Sequence, residues 1–113
     1  MADEGDLEAI GAVLEDDTTR RILAETSSEP MTVNQLATHV DASKPTIYRR
    51  IERLEDHDLV AATIHPSETG PHEKVFRATF DRVVVSLEDG TYTYDIERTE
   101  RMSDRLTRFV DKL

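Results

Sequence analysis

The spacing of apolar residues near the start of the chain predicts two helices. The first covers residues 7–15, with Asp6 as its N-cap. Its apolar face consists of Leu7, Ile10, Val13 and Leu14. The second covers residues 17–26, with Ile22 and Leu23 pointing inward, and the sequence SSEP at 27–30 ends it.

Two further helices joined by a tight turn are predicted between residues 32 and 56. Thr32 and Gln35 fit a capping box that opens the first of them, and its core-facing residues are Leu36, Ala37 and Val40. Asp41 and Ala42 form the turn. Ser43 caps the next helix, 43–56, whose first turn tolerates Pro45 because N–H groups there lack intrahelical partners. The inward stripe of this helix is Ile47, Ile51 and Leu54.

After Leu59 the hydrophobic period changes from 3.6 to 2, which predicts strands. Residues 60–65 and 74–80 form one hairpin around the loop PSETGPH at 66–72. Residues 82–96 form a second hairpin around a two-residue Asp89-Gly90 turn. Its cross-strand pairs all lie on one face, and they are Leu87 with Tyr92, Val85 with Tyr94, and Val83 with Ile96.

The end of the chain, 98–113, reads as an amphipathic helix. Its apolar residues fall at i, i+4, i+7, i+8 and i+11, namely Met102, Leu106, Phe109, Val110 and Leu113. The whole pattern predicts one α+β domain over 1–113, divided into an N-terminal helix (1–16), a helical and hairpin unit (17–80), a second hairpin (82–96) and this last helix.

Composition narrows the class of protein. No apolar run approaches the roughly 20 residues that span a bilayer, and the acidic start lacks the basic flank of a signal peptide, so we expect a soluble, cytoplasmic protein. The absence of cysteine excludes disulfides and thiolate metal sites within this chain.

The charge is strongly acidic but unevenly distributed. The net charge is −10, and the first 17 residues hold seven acids and no base, so the other 96 carry only −3. The chain has three lysines and eleven arginines together with abundant Asp and Glu. This composition resembles that of proteins from salt-accumulating halophiles; an acidic mesophilic protein is the alternative. A local basic segment remains at 43–54, where Lys44, Arg49, Arg50 and Arg53 outnumber Glu52.

The segment SKPTIYRRIERL at 43–54, followed by LV at 59–60, resembles the winged helix-turn-helix transcriptional regulators of prokaryotes. The likeness covers about residues 17–80 and is closest to the dimeric ArsR- and PadR-like group, including members from halophilic archaea. It implies a winged helix-turn-helix fold, to which the residue patterns described above add an extra β-hairpin and a C-terminal dimerisation helix. It also implies a transcription regulator whose helix 43–56 enters the major groove of double-stranded DNA while the wing, 61–80, touches the backbone.

The resemblance assigns a DNA-facing role to polar positions of the recognition helix and the wing. These positions are Ser43, Lys44, Thr46, Tyr48, Arg49, Arg50, Arg53, His72, Lys74 and Arg77. Arg49 is the first candidate for a bidentate contact with guanine, whereas Ser43 and Thr46 suit phosphate. Arg50 lies toward the groove edge and can serve either surface.

Two other interpretations of helix 43–56 remain. It can be an ordinary amphipathic helix with a solvated charged face, or a winged-helix module that binds an acidic protein instead of DNA. The capped preceding helix, the short turn and the following wing favour DNA.

The terminal helices carry more apolar residues than a small trihelical core can absorb, which favours a homodimer over a monomer that simply covers its own core. The predicted interface consists of Leu7, Ile10, Leu14, Met102, Leu106, Phe109, Val110 and Leu113. A twofold dimer places two recognition helices roughly 34 Å apart and favours a palindromic promoter site.

No cofactor, metal or catalytic function is expected. His65 and His72 flank the wing tip, but no cysteine or closely spaced histidine pair accompanies them. Tyr92 and Tyr94 are expected to pack across the strands rather than to line a ligand pocket. We also expect K+ or Na+ ions at the DNA interface, between phosphates and carboxylates such as Glu52 and Glu73.

Overall fold

A computed structural model describes residues 4–65, 70 and 72–98 of the chain. Eight elements follow one another in this part: α1 Glu4–Glu15, α2 Asp17–Ser28, α3 Val33–His39, α4 Lys44–Asp56, β1 Val60–His65, β2 Glu73–Ala78, β3 Phe80–Glu88 and β4 Thr91–Arg98. The predicted C-terminal helix, 98–113, lies outside the described residues except for Arg98, where its predicted start is wrong because Arg98 ends β4. Most residues of the predicted wing loop also lie outside the described ranges. The fold is therefore α+β, with four helices and two small antiparallel hairpins, and is compatible with a winged helix-turn-helix.

The first two helices are longer than the sequence pattern predicts. The prediction that Asp6 caps α1 is wrong, because α1 begins at Glu4 and Asp6 lies within its first turn, where the helix dipole favours a carboxylate. The predicted end of α2 at Thr26 is also wrong, since α2 continues to Ser28. The Ser27 hydroxyl donates to the Ala24 carbonyl at 2.7 Å. This hydrogen bond accommodates the serine in the last turn of α2.

The predicted caps of α3 and α4 are confirmed. The Thr32 hydroxyl accepts from the Gln35 amide at 3.1 Å, and the Gln35 side chain accepts from the Thr32 amide at 2.9 Å. Ser43 caps α4, and Pro45 lies in its first turn. Val40 and Asp41 lie in the short connection between the two helices. The local sequence thus fixes where each of these two helices begins.

The wing is a two-stranded antiparallel hairpin with one additional backbone bridge. β1 and β2 pair antiparallel from Val60 with Ala78 to His65 with Glu73, and Met31 forms an isolated bridge to Phe76 on the other side of β2. The prediction that β2 runs to residue 80 is wrong, because β2 ends at Ala78 and Phe80 begins β3. The bridge joins the wing to the segment just before α3.

The register of the second hairpin is confirmed around the Asp89-Gly90 turn. Both turn residues have positive φ, which suits the right-handed twist of a two-residue hairpin. A register shift between Phe80 and Arg82 places Phe80 on the same face as the predicted apolar pairs. The surroundings of this apolar face differ between the base of the hairpin and its tip.

Near the base of the hairpin, Phe80, Tyr94 and Ile96 pack against the core. Near the tip, Val85, Leu87 and Tyr92 are exposed. Tyr94 therefore packs in the core as predicted, whereas Tyr92 pairs with Leu87 across the strands but is exposed, because none of the described helices covers the tip.

The core lies where α1 and the three helices α2 to α4 meet the wing. α1 contacts both α2 and β4, so it joins the second hairpin to the helical unit. The fully buried large side chains come from all four described helices and from the residue just before β1, and they include Ile10, Ile22, Leu36, Ile47, Ile51, Leu54 and Leu59. None of the helices in the described ranges is long and apolar enough to cross a membrane.

Candidate nucleic-acid interface

Helix α4 has one buried face and one polar face. Ile47, Ile51 and Leu54 are at most 2% exposed, which anchors the helix against α2 and α3. Seven of the predicted DNA-facing residues lie on α4 or its N-cap, and five of these are exposed, namely Ser43, Lys44, Tyr48, Arg49 and Arg53. A helix held by one face in this way presents the other to a ligand as a rigid row of side chains.

Three polar side chains at the start of α4 are linked to one another. The Ser43 hydroxyl donates to the Thr46 hydroxyl oxygen at 3.0 Å, and Arg49 Nη2 donates to the same oxygen at 3.3 Å. The half-buried Thr46 thus holds the Arg49 guanidinium near the beginning of the helix. The remaining donors of Arg49 are available for a bidentate contact.

Arg50 has a different role from its neighbours. Its Nε donates to Asp16 Oδ2 at 2.9 Å, and both side chains are only about a quarter exposed. Asp16 is the N-cap of α2 and accepts from the Thr19 amide and hydroxyl, each at 2.8 Å. Arg50 therefore joins the two helices, which places it among the positioning groups of α4.

The carboxyl of Asp16 is held in its charged form. Burial alone raises the pKa of Asp16, but the hydrogen bonds from the Thr19 amide, the Thr19 hydroxyl and Arg50 outweigh it. The pKa consequently lies below its ordinary value. The Asp16 carboxylate thus remains ionised at neutral pH.

Arg53 lies at the other end of the exposed face, beside an acidic recess of about 280 Å³. The recess is formed where α1 meets α2 and is lined by Ala12, Glu15, Asp16, Asp17 and Arg53. The neighbouring carboxylates offset part of the positive charge of Arg53. The surface of α4 is therefore more positive near Lys44 and Arg49 than near Arg53.

A cleft of about 310 Å³ separates the first half of α4 from the wing. We call it the helix–wing cleft, and it is lined by Thr32, Val33, Asn34, Tyr48, His72, Glu73, Lys74 and Phe76. Tyr48 is 58% exposed, and the Lys74 ammonium lies 5.8 Å from the centre of the Phe76 ring. The structure thus brings Tyr48, His72 and Lys74 to one place.

Arg77 does not join this group. Strand alternation puts Arg77 on the face of β2 opposite Lys74 and Phe76. Arg77 is half-buried, and its Nε is buried without a hydrogen-bond partner in the described part of the chain. Its predicted contact with the DNA backbone would need the guanidinium to reach around the sheet edge.

The predicted dimer residues of α1 lie largely within the protomer. Ile10 is 2% exposed, whereas Leu7 and Leu14 are partly buried and pack against the core. Most of this apolar stripe is thus used by the chain itself. Among the described side chains, no group of three or more His, Asp or Glu residues could hold a metal ion.

Sequence reasoning missed several residues that shape this surface. Thr32, the N-cap of α3, and Asn34 in its first turn line the helix–wing cleft, while Asp16 positions α4 through Arg50. Arg98 donates to the carbonyls of Asp58 at 2.9 Å and His57 at 3.1 Å, just after α4. Only the capping pattern of Thr32 gave a sequence signal; the other contacts join segments far apart in the chain.

Comparison with known proteins agrees with this geometry. Residues 14–62 match a family model described as a helix-turn-helix domain. The matched residues contain α2, α3 and α4 entire, together with the end of α1 and the start of β1. No curated protein matches the chain. The match supports a helix-turn-helix regulator that binds DNA.

Proposed function

We propose that this chain is a sequence-specific transcription regulator of the winged helix-turn-helix class that binds double-stranded DNA as a homodimer. The observation that carries the proposal is the two-faced α4, with its buried side fixed in the core and Tyr48 of its exposed side lining the helix–wing cleft. An α-helix with its side chains is about 10–12 Å across, which suits a major groove about 12 Å wide. We assign no catalytic step and no cofactor to the chain.

The contacts follow from side-chain chemistry. Arg49, held by Thr46 at the start of α4, suits bidentate recognition of guanine O6 and N7. Lys74 and His72 on the wing suit phosphate, with Tyr48 between helix and wing as a contact to phosphate or to a thymine methyl. Lys44 and Ser43 approach the backbone at the helix start.

A homodimer would double this small basic surface. Two copies related by a twofold axis would present their α4 helices to half-sites about one helical turn apart and read a palindromic promoter site. We also propose that the chain is of the ArsR/PadR-like subtype and lies in the cytoplasm of a halophilic archaeon. The high ratio of arginine to lysine and the net charge of −10 support the halophilic origin.

We further propose that the chain binds DNA at high salt. At about 1 M salt the Debye length is about 3 Å, so contacts at short range carry recognition. Glu73 lines the helix–wing cleft and Glu52 is exposed on α4, where each would hold K+ or Na+ between its carboxylate and a phosphate.

The test is selection of bound sequences from a random duplex library, followed by a gel shift with the selected duplex. We expect Arg49→Ala to weaken specific binding by about 1–3 kcal/mol. Arg53→Ala should weaken it less, because carboxylates already offset the charge of Arg53. Arg82→Ala is the matched control, since Arg82 lies in the second hairpin and pairs with Glu97. Unchanged binding by both α4 variants would refute the recognition-helix assignment.

A protein-binding winged helix is the second candidate. It is favoured by two large apolar side chains that stay exposed, Tyr48 on α4 and Ile64 on β1. In that case no duplex is enriched in the selection. An acidic protein would then bind the same face, and its affinity would fall on Arg49→Ala.

A further inference from the structure

Helix α4 ends in a turn of three residues, His57, Asp58 and Leu59, which we call the cap turn. The Leu59 amide donates to the Leu54 carbonyl at 2.9 Å, and the Asp58 amide donates to the Glu55 carbonyl at 3.0 Å. Asp58 has a φ of 55°. These are the features of a Schellman motif, which ends a helix and turns the chain away from it. The carbonyls of the cap turn itself lie beyond the last helical turn, so they need partners from elsewhere.

Both strands at the base of the second hairpin supply these partners. Thr79, the residue before β3, donates from its hydroxyl to the Asp58 carbonyl and from its amide to the Leu59 carbonyl, each at 3.0 Å. Arg98, the last residue of β4, donates from Nε to the same Asp58 carbonyl at 2.9 Å and from Nη2 to the His57 carbonyl at 3.1 Å. All three carbonyls of the cap turn are thus bonded to the base of the hairpin.

We propose that Thr79 and Arg98 are positioning residues through which the second hairpin sets the orientation of α4 for DNA. Neither residue is assigned a contact with DNA. The inference rests on the proposed function and adds a role for the second hairpin, which that function leaves unexplained.

The way in which α4 is held explains why these bonds matter. The buried stripe of α4 packs through apolar contacts, which are not directional, whereas hydrogen bonds restrict both distance and angle. The directional contacts are the bond between Arg50 and Asp16 in the middle of the helix and those of the cap turn at its end. The cap turn is therefore the lever arm that limits tilt of the helix.

A small tilt would reach the base-reading position. Arg49 precedes Asp58 by nine residues, about 13 Å along a helix, so a tilt of about 5° at the cap turn moves Arg49 by about 1 Å. Binding groups need to be held within about 0.5 Å of their productive geometry. Loss of the cap-turn bonds should therefore reduce recognition of the correct sequence more than general attraction to DNA.

The chemistry of Arg98 suits this position. A cation near the C-terminus of a helix interacts favourably with the helix dipole. The planar guanidinium also offers several donors in a rigid fork, so Arg98 bonds two carbonyls at once, whereas a lysine ammonium on a flexible stem does not fix this geometry. Arg98→Lys thus keeps the charge and loses the fork.

The first experiment measures the specificity ratio, which is the affinity for the selected duplex divided by the affinity for an unrelated duplex. We expect Arg98→Met to lower this ratio about fivefold, Thr79→Val to lower it less, and Arg98→Lys to lie between Arg98→Met and the unmodified protein. Arg82→Met is the control, because Arg82 lies in β3 and pairs with Glu97. Measurements are made at a temperature at which circular dichroism shows every variant to be folded.

A stabilising variant separates positioning from stability. Asp58 is exposed and has positive φ, a conformation that glycine adopts without strain, and Asp58→Gly keeps all three carbonyls of the cap turn. We expect Asp58→Gly to raise the melting temperature and to leave the specificity ratio unchanged. A ratio that follows the melting temperature across all variants would overturn the inference, since Thr79 and Arg98 would then act on stability alone.

The orientation of α4 is also measured without DNA. We expect Arg98→Met to change the NMR chemical shifts of the Tyr48 and Arg49 amides, and Arg82→Met to leave them unchanged. Unchanged shifts in Arg98→Met would overturn the inference even if no duplex is selected. If a duplex is selected and Arg49→Ala weakens its binding while Arg98→Met does not, only this inference fails; if no duplex is selected, the proposed function fails and the amide shifts alone decide whether the hairpin orients α4.

Discussion

Arg50 of α4 donates from its Nε to Oδ2 of Asp16, the residue that caps α2, at 2.9 Å. The same oxygen accepts from the amide and the hydroxyl of Thr19. One carboxylate thus serves as a helix cap and as the ionic partner of the candidate recognition helix. The position of α4 consequently depends on an acidic residue outside the helix-turn-helix connection itself.

The energy of this link can be measured with a double-mutant cycle. Asp16→Asn keeps an oxygen that can cap α2 but loses the charge, and Arg50→Met keeps the apolar stem. We expect a coupling energy of about 1 kcal/mol, near the upper end for solvent-accessible pairs because both side chains are partly buried. Urea denaturation of the four proteins provides the measurement. Additive effects would show that the pair contributes nothing to stability.

The same pair predicts a pH dependence. The pKa of Asp16 is lower in the folded chain than its ordinary value, which is about 3.9 in an unfolded chain. Its contribution to the free energy of unfolding is therefore complete above about pH 4 and is lost as the pH falls through the folded pKa. The stability difference between the unmodified protein and Asp16→Asn should be constant from about pH 5 to 7 and shrink below about pH 4. A difference that grows at low pH would contradict the assignment.

Arg98 links the second hairpin to the end of α4. Replacing it by Met removes two hydrogen bonds to the carbonyls of His57 and Asp58, and we expect a loss of about 1 kcal/mol in the free energy of unfolding. Arg82→Met is the control, because Arg82 lies in the adjacent strand and pairs with Glu97 instead of the helical unit. Equal losses in the two variants would show that Arg98 contributes only as a charge within the hairpin.

Salt tests the proposed mode of DNA binding. Release of counterions ordinarily makes affinity fall steeply with salt, in proportion to the number of phosphates neutralised. We expect binding to the selected duplex to persist, or to strengthen, from about 0.1 M to about 2 M KCl, a range in which long-range attraction is screened. Fluorescence anisotropy with a labelled duplex gives the affinity.

A variant separates bound cations from simple tolerance of salt. Glu73→Gln should restore part of the ordinary loss of affinity at high KCl, because Glu73 lines the helix–wing cleft. Glu55→Gln is the control, since Glu55 is an exposed carboxylate of α4 that does not line this cleft. A steep loss for the unmodified protein would refute the adaptation to salt.

Local patterns in the sequence determined most of the elements. The capping box of Thr32 and Gln35, the Ser43 cap and the stripe of Ile47, Ile51 and Leu54 each involve residues within one or two helical turns. The register of the second hairpin likewise follows from alternation around Asp89-Gly90. Such features are readable because spacing along the chain specifies which side chains share a face.

Tertiary structure decided how these elements combine into a site. Asp16 and Arg50 are 34 residues apart, and Arg98 lies 40 residues beyond Asp58; no local spacing relates them. The same holds for the cleft that brings Tyr48 together with Lys74, and for the face of β2 that separates Lys74 from Arg77. The sequence by itself thus specified a helix with one polar face, while packing between distant segments determined which polar residues face the cleft and which ones hold the helix in place.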